Sequence, residues 1–250
     1  MDPIYECIRE RARQLAANLP PPAFYRDFLE EARQARHFME NNSTVSKLRW
    51  FISETADNSF GHGFLHAEKV ALDAGTLIMV ECDMLGETAQ QTDALLTMVQ
   101  CAGLLHDVRR RKKNHAACGA AKAAEILKAY DLSEESIAAI CLAIKNHEAF
   151  QPVIESPDRK GTLLSGCLYD ADKFRWGPDN FTHTVWDMVS LANIPLAMFM
   201  EKYPEAMQRL AGISETFRTD TGKKYGPEFI NQGLEIGRQL LVDIKNDILS

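Results

Sequence analysis

The sequence predicts an all-α fold, and three observations carry that prediction. Apolar residues recur at the 3.6-residue spacing of a helix along most of the chain. No stretch alternates apolar with polar residues as a half-buried strand does. Caps, prolines and glycines fall where helices of ordinary length would begin and end. The chain has 250 residues, 46% hydrophobic and 25% charged, the balance of an ordinary globular protein whose core needs no disulfide staples.

The first helix starts at Asp2-Pro3, a cap followed by proline in the first turn, and Ile4, Ile8, Leu15 and Leu19 fall near one face. Pro20-Pro21-Pro22 stops it. A second helix over about 23–40 carries Phe24, Phe28, Ala35 and Phe38 as a stripe, Asn41-Asn42 closes it, and a third covers about 45–55. Beyond the hinge Ser59-Phe60-Gly61-His62-Gly63, a helix over about 66–81 repeats Val70, Leu77 and Val80, and another runs over about 88–108. Helices over about 116–130 and 133–148 follow, the latter capped by Ser133 and lined by Ile137, Ile140 and Ile144. The last three span about 163–174, 184–200 and 227–249, with Pro227 expected in the first turn of the final one. No repeat or long linker divides them. The expectation is one domain over 1–250: a core of about 45–200, a helical extension over about 1–44 and C-terminal helices over about 201–250.

Lys and Arg number 28 against 35 Asp and Glu, a net charge of −7, the wrong sign for coating nucleic acid or an anionic membrane. The six cysteines form no C-x-x-C pair and sit among apolar neighbours, which fits a reducing compartment. Met1-Asp2-Pro3 lacks a basic leader, and the apolar run 76–80 is too short to span a bilayer. A cytoplasmic protein without a membrane partner is expected.

Chemistry points to the histidines and aspartates. His66, the adjacent pair His106-Asp107 and Asp172 occur in the order H…HD…D. Imidazole and carboxylate together hold divalent transition metals while leaving positions open. Neighbouring residues inside a helix diverge by about 100°, so His106 and Asp107 can share an ion only at a helix end. The basic run Arg109-Arg110-Arg111-Lys112-Lys113 suits such a C-terminal end.

Three segments, Phe64-Leu65-His66-Ala67-Glu68-Lys69-Val70, Ala102-Gly103-Leu104-Leu105-His106-Asp107-Val108 and Asp170-Ala171-Asp172-Lys173-Phe174, resemble the motif frames of the HD-domain metal-dependent phosphohydrolases over about residues 59–174. The resemblance implies an HD-domain helical bundle with added N- and C-terminal helices, and His66, His106, Asp107 and Asp172 as metal ligands. The family pattern favours Asp172 over Asp170 for the last ligand and leaves Asp170 behind it. His115 and His147 resemble the extra histidines of dinuclear members. They either complete a second site, with Asp107 bridging two ions, or line a one-metal pocket and contact phosphate or move a proton.

The implied activity is hydrolysis of a nucleotide or another small phosphate ester by a metal-activated water, with one or two ions of Mn, Fe, Co, Ni or Zn, or with Mg. Asp107, His115 and His147 are the expected catalytic residues, and His62, Arg110 and Lys173 the expected substrate contacts. The same ligand pattern fits a diiron HD-type oxygenase, or a regulatory module that senses a nucleotide without turnover. A homodimer is left open. No phosphate-binding G-x-x-x-x-G-K-[ST] loop, G-x-G-x-x-G turn, H-E-x-x-H or G-x-S-x-G occurs, and the Gly-Tyr-Pro element of cyclic-dinucleotide phosphodiesterases is missing after His147.

Overall fold

The computed structural model describes residues 3–55 and 63–248. Among them the protein is all-α, with no strand. In chain order the helices are α1 Pro3–Ala17, α2 Ala23–Asp27, α3 Leu29–Asn41, α4 Ser43–Thr55, α5 Phe64–Leu85, α6 Ala89–Leu105, α7 His115–Leu127, α8 Glu134–Lys145, α9 Arg159–Phe174, α10 Val185–Leu191, α11 Leu196–Gly212 and α12 Asp220–Asp243. No described helix is long and apolar enough to cross a membrane.

Local chemistry sets most boundaries. Thr88 and Gln91 form a reciprocal capping box at the start of α6. Ser133, Asp158 and Thr219 accept the free N–H groups that open α8, α9 and α12. Gly86, at φ 67°, ends α5 in the left-handed conformation that glycine adopts without cost.

Three expected helices are drawn differently. The one expected over 23–40 is broken at Phe28, whose φ of −119° and ψ of 38° leave the helical range. The one over 184–200 stops at Leu191, because Asn193 turns left-handed at φ 49° and Pro195 follows; a separate helix, α11, then begins. The last helix starts at Asp220 rather than near Pro227, since the Thr219 hydroxyl accepts from Gly222 N at 2.8 Å and sets the N-terminus two turns earlier.

The core is built around α5, which is buried on nearly every side and packs against α6, α9 and α3. It meets α6 backbone to backbone at Gly103, where a Cβ would stand 2.5 Å from Ala71 Cα. Only glycine allows this contact, and it lies within two turns of both His66 and His106. One connected apolar cluster runs from Tyr5 on α1 to Ile244 beyond α12, so the terminal helices share the same core.

The ends of five helices meet at one place: the starts of α5 and α7 and the ends of α6, α8 and α9. The chain between α6 and α7 is a run of turns over 106–114, closed by Asn114 in the left-handed conformation at φ 58°. The pair His106-Asp107 therefore stands just past the last residue of α6, where neighbouring side chains need not diverge.

Candidate metal centre

His66 lies in the first turn of α5, His106 caps the end of α6, and Asp172 lies near the end of α9. The Nε2 atoms of His66 and His106 are 3.2 Å apart. Asp172 Oδ1 stands 3.5 Å from the first and 3.7 Å from the second. Asp107 Oδ2 stands 3.4 Å from His106 Nε2 and 3.9 Å from His66 Nε2. Donors about 2.1 Å from a shared ion lie about 3.0 Å apart at a right angle and about 3.4 Å apart at the tetrahedral angle. His66, His106 and Asp107 have the spacing of a cation cage, slightly wide at the longest edge, and Asp172 stands at similar distances from both imidazoles.

The other oxygen of Asp107 faces a second group. Its Oδ1 is 3.6 Å from His115 Nε2 and 3.5 Å from His147 Nε2, and these two nitrogens are 3.2 Å apart. His66, His106 and Asp107 form one candidate metal-holding set and Asp107, His115 and His147 another, with the carboxylate common to both.

The hydrogen bonds around the rings fix what the Nε2 atoms carry. His147 Nδ1 donates to the Ile144 carbonyl at 2.6 Å, and His115 Nδ1 donates to the Glu148 carboxylate at 2.7 Å. In the neutral form each ring thus keeps its proton on the outward Nδ1 and turns a lone pair inward on Nε2. Two lone pairs facing each other at 3.2 Å repel unless a positive centre shares them. Burial and the nearby Arg110 guanidinium lower the His115 pKa to about 4, so the ring is neutral at pH 7.

In the first group, His106 Nδ1 donates to the Gly103 carbonyl at 2.8 Å, again turning Nε2 inward. Burial alone lowers the His106 pKa, but Asp107 and Asp172 outweigh it and the net shift is upward. The residues present fit a divalent cation by donor type and spacing.

Two carbonyls and a lysine hold this geometry. Lys173, buried at 2% exposure, donates to Asp172 Oδ2 at 2.5 Å and to the His147 carbonyl at 2.9 Å. Arg218 donates to the preceding carbonyl, Asn146 O, at 2.8 Å. Burial raises the Asp172 pKa, but Lys173 and the two histidines outweigh that and hold it well below the usual carboxylate range.

The other expected site residues are placed as follows. Arg110 turns back toward the second group, its Nη1 2.9 Å from His115 Nε2. Lys173 is directed at Asp172 and His147 and covered by Tyr169 and Trp176, so it positions the Asp172 carboxylate instead of facing open space. Asp170 is fully buried away from the cluster and accepts from Arg218 N, Thr219 N and the Thr219 hydroxyl at 2.7–2.8 Å, fastening the start of α12 to α9. His62 lies outside the described residues.

Sequence reasoning gave no role to Glu148. The one local signal was its adjacency to His147; the contact that matters, with His115, needs α7 and α8 to be folded side by side.

No protein-family model, curated protein or solved structure matches the chain, so the reading of the site rests on its own residues.

Proposed function

We propose that this protein is a metal-dependent phosphohydrolase acting on a nucleotide or another small phosphate ester. The observation that carries the reading is the pair of histidine groups set against the two oxygens of one buried carboxylate, with a cationic turn at their edge. His66, His106, Asp107 and Asp172 would hold one divalent ion, and Asp107, His115 and His147 a second. The donor set is nitrogen and oxygen without sulfur, which suits Mn, Fe, Co, Ni or Zn better than a thiophilic ion. A bound divalent ion supplies Lewis acidity toward a phosphoryl oxygen and acidifies water toward a pKa of ~7.

The chain's own residues supply the rest. Arg110, a third exposed at 33%, stands between the cluster and solvent, and Arg109, Lys112 and Lys113 on the same turn are exposed. These cations draw an anionic substrate to a protein of net charge −7 that would otherwise repel it. A guanidinium that can leave its partner is suited to a bidentate grip on phosphate. Lys173 keeps one oxygen of Asp172 occupied and so aims the other at the cluster. Glu148 fixes the His115 ring through Nδ1. All six cysteines are free, which supports the cytoplasmic setting.

The test is metal analysis of protein purified without chelator, then turnover of a phosphomonoester and phosphodiester panel with and without dioxygen. Metal near one or two equivalents and oxygen-independent release of phosphate support the reading. A redox-active iron pair with an oxygen requirement would replace it with oxygenation. Stabilisation by nucleotide without turnover would replace it with a sensing module.

A further inference from the structure

We infer that Arg110 is a resident counter-cation of the second donor group, and that a divalent ion enters the group only by displacing it. This rests on the cluster being a metal site, and it concerns how that site is loaded.

The imidazole of His115 has one in-plane lone pair on Nε2, because its Nδ1 proton is committed to Glu148. Arg110 Nη1, 2.9 Å away, donates into that lone pair and stands 3.7 Å from Asp107 Oδ1. These are two of the three donor atoms of the second group. A single lone pair cannot accept an N–H and coordinate an ion together, so the two states exclude each other. In the first group Lys173 takes the outer oxygen of Asp172 and leaves Oδ1 facing His66 and His106.

The local backbone makes displacement easy. Arg110 N donates to the Asp107 carbonyl at 2.9 Å, a tight turn that folds the side chain back over the carboxylate it neutralises. At 33% exposure the guanidinium already borders solvent, whereas the side chains of His147 and Asp107 are buried and His115 is tethered through Nδ1 to Glu148. When Arg110 swings outward, the negative field of Asp107 is left for an incoming ion and the guanidinium is released toward any anion at the rim. The two groups should therefore load in order: the first tightly, the second weakly and against Arg110.

The test titrates metal-free protein with Mn²⁺ alone, by calorimetry and by the electron paramagnetic resonance of coupled manganese pairs, for the wild type, Arg110→Ala and Arg110→Gln. The expected result is two unequal binding steps in the wild type. In both variants the second step should tighten by about tenfold or more, the scale of a lost charge-assisted hydrogen bond, with a much smaller change in the first step. The coupled signal should appear at lower Mn²⁺ in the variants. An unchanged or weaker second step in both variants overturns the inference, as does a single equivalent in every form. A protein that binds no Mn²⁺ in any form overturns this inference and the metal reading together.

Discussion

Two polar clusters flank α9, and they are balanced in different ways. On one side Arg175 donates to Asp179 at 2.6 Å, to the Tyr25 hydroxyl at 2.5 Å and to Asp73, while Tyr25 donates to Asp73 and Lys69 to Asp179. Two cations meet two carboxylates and a phenol, and apart from the guanidinium Nε the set closes on itself. Three residues earlier, at Asp172, the grouping is different: imidazole nitrogens and carboxylate oxygens face one another across 3.2–3.9 Å. A cluster whose donors and acceptors cancel fastens helices together. One in which four imidazoles converge on two carboxylates has the donor set of a cation site.

The variants that separate these roles most sharply remove one member from each cluster. Asp107→Ala takes away the carboxylate common to both histidine groups; activity should fall to below about a thousandth of wild type and bound metal should approach zero, with the fold retained by circular dichroism. Arg175→Met should do the reverse. It leaves Asp73 and Asp179 without their main cation and should cost about 3–5 kcal/mol in urea unfolding, while folded protein keeps its metal. A loss of metal from Arg175→Met without loss of stability would merge the two clusters into one functional unit.

Glu148→Gln removes the charge behind His115 and should weaken the second metal step by roughly 10–100-fold, read by titration, with the first step nearly unchanged. The smallest effect belongs to acid. Burial raises the Asp179 pKa, but Arg175 and Lys69 outweigh it and bring it to about 2 from 3.8. The folded value lies below the unfolded one, so the contribution is complete above about pH 4 and is lost as pH falls through about 2. It amounts to about 2 kcal/mol, and Asp179→Asn should flatten the unfolding free energy over that window.

The contrast also explains what could be seen in the chain beforehand. The all-α class was legible because burial of one helix face leaves a period in the sequence. The histidine groups were legible because His66, His106-Asp107 and Asp172 stand in an order suited to a metal and because the resemblance to HD-domain proteins drew in His115 and His147; the structure sets all of them at one junction of helix ends. Lys173 was harder, since a cation beside a ligand reads equally as a substrate contact until its burial is known. Glu148 and the Tyr25-Asp73-Arg175-Asp179 network were not legible, because their meaning lies in contacts between helices distant in sequence and no spacing encodes them. The breaks at Phe28 and at 192–195 escaped for a related reason: apolar periodicity continues across a bend when both halves face the same core.

The central claim, that the two histidine groups share Asp107 around divalent cations, is tested most directly by anomalous diffraction from crystals grown with Mn²⁺. The account predicts a peak about 2.0–2.3 Å from His66 Nε2, His106 Nε2, Asp107 and Asp172, and at higher Mn²⁺ a second peak about 3.5–4 Å away, touching His115 and His147 with Arg110 swung outward. Crystals at millimolar Mn²⁺ with no peak in either group, and with the imidazoles still facing each other, would contradict it.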